Sequence, residues 1–152
     1  MSYQQQHPNH GQRDHGMNNK RESSPAVDWS AYNLDSPSAD LYDTLAEKAA
    51  GHIASDNTKN KTSQLRGFYD EVITWDQRSK QWDEQQFQAQ LPLIKMLNAK
   101  VAYAKGRNLV DNNYFSLIRH LLGQVKEKKH LHSLKLFLEA FHGFYKVVRP
   151  KD

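Results

Sequence analysis

From residue 38 onward, apolar side chains recur at intervals of three and four residues, and no stretch alternates apolar with polar positions over a useful length. Such spacing gathers apolar groups on one side of a helix, whereas a half-buried strand needs period two. Leu41, Leu45, Ala49 and Ile53 predict a first helix over about 39–54, with Ser38 or Asp40 as its cap. Leu65, Phe68, Tyr69, Val72 and Ile73 predict a second that starts at the hydroxyl of Thr62 or Ser63. A polar connection from Gln77 to Glu84 and a short turn near 85–89 lead to Pro92, which suits the first position of a third helix that Gly106 stops. A fourth, about 113–126, is capped by Asp111 or Asn112 and turns Phe115, Ile118, Leu122 and Val125 inward. After a charged connection from Glu127 to His130, a fifth over about 131–148 carries Leu134, Phe137, Leu138, Phe141, Tyr145 and Val148, and Pro150 ends it. The expectation is an all-α fold, a compact bundle of about five helices over residues 38–152.

Residues 1–37 carry no such period. Glutamines, asparagines, glycines and the prolines at 8, 25 and 37 punctuate a polar segment expected to be a disordered tail. Its histidines, His7, His10 and His15, offer metal ligands but no preorganised site, so a plain polar tail is expected. Trp29 and Tyr32 near its end are candidates to dock on the bundle or on a partner.

Cysteine is absent, which removes disulfides and thiolate metal sites and suits a reducing compartment. No run approaches the roughly 20 apolar residues of a membrane span, and the N-terminus is polar where a signal peptide would be apolar. A soluble, cytoplasmic protein with no membrane partner is expected. The net charge of +4 is concentrated. Residues 1–40 hold three Lys/Arg against five Asp/Glu, and residues 61–152 hold sixteen against nine. A basic helical body favours a polyanionic partner, most simply nucleic acid, although solvated basic faces are common.

The borders of the apolar stripes sharpen that reading. On a helix from Leu93 to Arg107, the residues Leu93, Ile94, Leu97, Val101 and Ala104 share the core side. Lys100 and Arg107, seven apart, project together beside Met96 and Tyr103. Two cations and a ring bordering a core suit phosphates and bases; the same pattern arises when basic stems pack and their heads reach water. Arg119 and Lys126 repeat the seven-residue spacing on the fourth helix. Arg66 stands in the first turn of the second helix, where the dipole favours an anion over a cation unless phosphate is near.

Catalytic patterns are weak. Two Glu-x-x-His steps, Glu127 to His130 and Glu139 to His142, lie too close in sequence to come from two inward-facing ligand helices of a di-metal bundle. No Gly-x-Ser-x-Gly elbow or glycine-rich phosphate loop occurs. No catalytic residue, metal or cofactor is expected.

Three segments together resemble one family, the small subunit of type III-A CRISPR (Csm) effector complexes. They are Thr62 to Val72 (Thr-Ser-Gln-Leu-Arg-Gly-Phe-Tyr-Asp-Glu-Val), Leu93 to Arg107 with its Ala-Lys-Val-Ala-Tyr-Ala-Lys-Gly-Arg core, and Phe137 to Lys146. The likeness spans nearly the whole helical part and leaves the His/Gln-rich tail outside. It implies a non-catalytic subunit that stacks in several copies beside larger subunits and contacts guide RNA and target RNA without reading sequence. The RNA-binding candidates are Arg66, Lys100, Lys105, Arg107, Arg119 and Lys126. Arg66, Lys100 and Arg107 rest on both the resemblance and the geometry, Arg119 and Lys126 on spacing alone. The competing expectation is a helical protein–protein adaptor with no nucleic-acid ligand.

Overall fold

The structure, a computed structural model, describes residues 26–151, and the His-bearing part of the expected tail, 1–25, lies outside them. The described residues are all-α: α1 Thr44–Ala54, α2 Thr62–Ser79, α3 Glu84–Lys95, α4 Leu97–Gly106, α5 Asn112–Gly123 and α6 Lys128–Val148. The third helix expected from Pro92 is interrupted at a single turn residue, Met96: its start belongs to α3, which also takes in the stretch near 85–89 expected as a short turn, and its remainder is α4.

Helix α6 is the spine. Leu131, Leu134, Phe137, Leu138, Phe141 and Tyr145 fall on one stripe, and all are buried. Against it lie α1 and α2, while α4 pairs mainly with α5. The inner face of α1 is Ala46, Ala49, Ala50 and Ile53, and its three alanines allow close approach to α6. Val148, expected in the stripe, is exposed at the C-terminal end of α6.

Several helix ends departed from expectation. Residues 38–43 form tight turns, with Leu41 N–H donating to Ser38 O at 3.2 Å and Asp43 N–H to Asp40 O at 3.1 Å, so α1 starts at Thr44 rather than near 39. Neither Ser38 nor Asp40 caps it. Helix α2 has Lys61 at its N-cap, with no hydroxyl cap from Thr62 or Ser63, and runs on to Ser79. Asp83 begins α3 by a reciprocal box: its Oδ1 accepts from Gln86 N–H at 2.7 Å while its own N–H donates to Gln86 Oε1 at 2.9 Å. Pro92 therefore sits inside α3, not at its start; proline supplies no N–H to the ladder, and α3 ends within a turn of it. Helix α4 is stopped by Asn108, not by Gly106: Asn108 adopts φ 60°, its N–H donates to Lys105 O, and Leu109 N–H reaches Ala104 O. Asp111 caps α5 as expected, accepting from Tyr114 N–H at 2.9 Å. Helix α6 starts three residues early because His130 Nδ1 accepts the amides of Lys126 and Glu127, both at 3.1 Å.

The packed unit reaches back before residue 38. Trp29, Tyr32 and Leu34 are buried in the core. Trp29 Nε1–H donates to Ser116 Oγ at 3.0 Å, Tyr32 O–H to Leu45 O at 2.9 Å, and Gln124 clasps the strap by accepting from Leu34 N–H and donating to Tyr32 O. With Nδ1 of His130 occupied as an acceptor, its proton is on Nε2, which donates to Asp35 Oδ1 at 2.7 Å. Two aromatic anchors and three backbone contacts offset the ordering cost of a short polar stretch.

Candidate nucleic-acid interface

Helices α2 and α4 each pack chiefly on something else, α2 on α6 and α4 on α5. Ala99 and Ala104 add nothing beyond a methyl on the α4 side, so an open groove of about 420 Å³ remains, lined by Gln64, Phe68, Met96, Lys100, Tyr103, Arg107 and Leu109 as well. Ile94, Leu97, Val101 and Ala104 are buried as the stripe predicts, but Leu93 is exposed near the end of α3. Lys100 and Arg107 do project to one side with Met96 and Tyr103. Tyr103 is 68% exposed and Met96 52%, high values for such side chains. The Arg107 guanidinium lies 5.7 Å from the centre of the Tyr103 ring. Lys100 is turned across the groove onto Glu71 Oε1, with which it forms an ion pair. Its charge is thereby largely compensated, while Arg107 has no carboxylate within ion-pair distance among the described residues.

Lys105 points to the opposite edge of α4. Its Nζ lies 4.9 Å from the Phe115 ring centre, and Arg119 approaches the same ring to 5.7 Å. Phe115, expected inside, is only partly buried; Tyr114, Leu117, Ile118, Leu121 and Leu122 take the inner face of α5. A ridge of two cations around one ring results.

Arg66 and Lys126 join neither group. Gln64, Phe68 and Glu71 mark the groove side of α2, and Arg66 is about 160° round the helix from Gln64. There it pairs with Asp70 at 3.9 Å and its charge reaches His142. The seven-residue relation of Arg119 to Lys126 does not apply, because α5 ends at Gly123 and Lys126 is in the following link. Lys126 instead comes near Lys95, whose pKa is lowered by burial and then by the charge of Lys126, and whose Nζ donates to Leu122 O. Spacing along one helix revealed the Lys100–Arg107 pair; the wall residues Gln64 and Phe68 and the neighbour Lys95 depend on which helices meet.

Another basic cleft holds Lys80, Lys128, Lys129 and His132 around buried Asp76. Its basic side chains are mostly engaged: Lys128 Nζ donates to Trp82 O at 2.6 Å, Lys129 lies 3.3 Å from Asp35, and His132 Nδ1 lies 3.3 Å from Asp76.

The two Glu-x-x-His steps have local roles. Glu127 and His130 shape the start of α6; Glu139 pairs with Lys135 at 2.8 Å, while His142 stacks on Tyr69 with ring centres 5.0 Å apart. Burial, then the charge of Arg66, pushes His142 down to about 4. Among the described residues no three His, Cys, Asp or Glu side chains are grouped to hold a metal ion, and no helix is long and apolar enough to cross a membrane.

A family model described as Csm2 Type III-A matches residues 36–151, a span that contains all six helices and all six candidate cations. No curated protein and no solved structure matches the chain.

Proposed function

The chain belongs to the Csm2 family and is a small subunit of a type III-A CRISPR complex, and from that premise we propose that it stacks in several copies along a cytoplasmic ribonucleoprotein and touches the phosphates of guide and target RNA without reading sequence. It does so without catalysis. The observation that carries the RNA contact is the cluster on α4 and α5: Lys105, Arg107 and Arg119 are exposed beside rings and meet no carboxylate among the described residues. Uncompensated cations on a basic body seek a polyanion. An RNA-guided complex leaves discrimination to base pairing, so an accessory subunit needs only charge and shape. Arg107 and Lys100 serve the groove, Lys105 and Arg119 the ridge; Arg66 and Lys126 serve separate, more peripheral contacts. The remaining partners are the larger Csm subunits and further copies of the chain.

The exposed apolar residues Leu93, Met96 and Leu109 give an adaptor reading its best support, since protein interfaces use such groups. Purifying the tagged chain from cells that carry the system, with and without nuclease, separates the two. Recovery of repeat-derived guide RNA with larger subunits is expected. Partners that stay bound after nuclease, with no short RNA in the untreated sample, would replace RNA contact by adaptor function.

A further inference from the structure

The α2–α4 groove has features that phosphate contact alone does not require. A phosphate site needs cations and amides, and gains nothing from a tyrosine left 68% exposed above a floor of Phe68, Ala99 and Ala104. Arg107 covers the ring without burying it, and a planar guanidinium beside an aromatic face is itself a stacking surface. Gln64 on the α2 wall brings an amide, both donor and acceptor, to the edge of any flat ligand between the helices. The volume, about 420 Å³, lies in the range of small organic ligands. Lys100, held by Glu71, fences the groove rather than filling it.

We infer that the groove between α2 and α4 holds one unpaired RNA base, stacked on Tyr103, with Arg107 at its flanking phosphate. The inference rests on the RNA-contact reading and makes it more specific. A second copy of the chain is the less suited occupant, because the cation facing the groove without a carboxylate would meet the same cation chemistry from a like surface. Base stacking is tolerant of base identity, so the site adds affinity for unpaired nucleotides without adding sequence preference. It distinguishes an unpaired nucleotide from a paired one.

The test uses the full chain with a single-stranded RNA carrying one 2-aminopurine, the same RNA with an abasic residue there, and a fully paired duplex. Quenching of the 2-aminopurine is expected with the unaltered chain and with Tyr103→Phe. Tyr103→Ala is expected to abolish quenching and weaken single-strand binding about 5- to 100-fold, while leaving duplex binding unchanged. The abasic RNA is expected to bind both the chain and Tyr103→Ala equally. If Tyr103→Ala quenches and binds as the unaltered chain does, the base site is overturned and phosphate contact survives. If the chain binds neither single strand nor duplex, both readings fall. If Tyr103→Ala instead abolishes self-association in sedimentation, with RNA binding intact, the groove is a protein interface and the inference is overturned.

Discussion

Tyrosine and arginine stand four residues apart at the C-terminal turn of two helices, Tyr145 and Arg149 on α6, Tyr103 and Arg107 on α4. In both pairs the arginine is the C-cap and its guanidinium lies over the ring, 5.9 Å from the centre in one and 5.7 Å in the other. Their surroundings differ. Tyr145 is fully buried and its hydroxyl donates to Asn60 O; Arg149 donates to Asp56 O and Lys59 O, both at 3.0 Å, and to the Tyr145 hydroxyl at 3.2 Å. The loop after α1 has folded over that pair, whereas nothing in the described residues covers Tyr103 and Arg107. Local helix geometry sets the contact within each pair, and the elements that arrive around it decide whether it serves stability or stays available to a ligand.

A left-handed asparagine sits beside each pair, and substituting both gives the largest expected contrast. Asn60, at φ 59° and with no exposed surface, donates from Nδ2 to Ile53 O at 3.1 Å and accepts at Oδ1 from Asp111 N–H at 2.9 Å. Asn60→Ala strands both partners and puts alanine, which lacks asparagine's tolerance of the left-handed region, at that φ, for an expected loss of about 4 kcal/mol in urea unfolding. Asn60→Gly relieves the backbone and is expected to lose about 3 kcal/mol, which isolates the hydrogen bonds. Asn108→Ala, exposed and only strained, is expected to lose about 1 kcal/mol. Equal losses at 60 and 108 would mean that the α6 end is no better braced than the α4 end.

Next in size is Arg149→Ala. Its backbone acceptors and the Tyr145 hydroxyl lose a charged donor in a nearly closed site, so unfolding free energy is expected to fall by about 3 kcal/mol. A change below 1 kcal/mol would show that water replaces the guanidinium and that this end of α6 is wetter than its burial indicates.

The buried side should also carry a pH dependence. His142 has its folded pKa depressed to about 4 from an ordinary 6.5, because burial and then Arg66 disfavour the imidazolium. The unfolded chain therefore binds the extra proton first. The stabilisation is complete above pH 6.5 and is lost as pH falls from 6.5 through about 4. With partial exposure of the ring allowed for, the loss is about 2 kcal/mol. Urea titrations from pH 7 to 4 are expected to show this slope in the unaltered chain and to lose it in His142→Gln; a ring titrating near 6.5 by NMR would remove its cause.

The faces of the helices were legible in the sequence because burial follows side-chain type and a helix repeats its direction every three or four residues. Hence Ile94, Leu97, Val101, Ala104 and the stripe of α6 were placed by spacing, as was the side shared by Lys100 and Arg107. Ends depend on single bonds: the Asp83–Gln86 box was readable as Asp-x-x-Gln, yet it competed with a proline read as a start. Arg119 and Lys126 were joined by a spacing that holds only while the helix lasts. Arg66 could not be sorted from the groove, since one helix's sequence does not say which neighbour lies on which flank. The strap was legible in part: Trp29 and Tyr32 stood out as docking candidates in a polar segment without period and do dock on the bundle, whereas Leu34 and the partners Ser116, Leu45 and Gln124 depend on which elements meet.

The smallest expected effect on stability is the one that bears most on function. Arg107 touches a ring that is itself exposed, so Arg107→Ala is expected to change unfolding free energy by no more than about 0.5 kcal/mol. The same substitution should flatten the salt dependence of single-strand RNA binding, the slope of log K against log salt falling by about 0.7 for one phosphate contact. Lys100→Ala should do less, because Glu71 already compensates that charge in the free chain. Its effect should grow in the background of Glu71→Gln, which releases the ammonium, and such growth would separate a cation held in reserve from one used for packing. An unchanged slope in Arg107→Ala, with stability also unchanged, would leave the open tyrosine–arginine pair without a ligand and move the RNA contact to the Lys105–Phe115–Arg119 ridge.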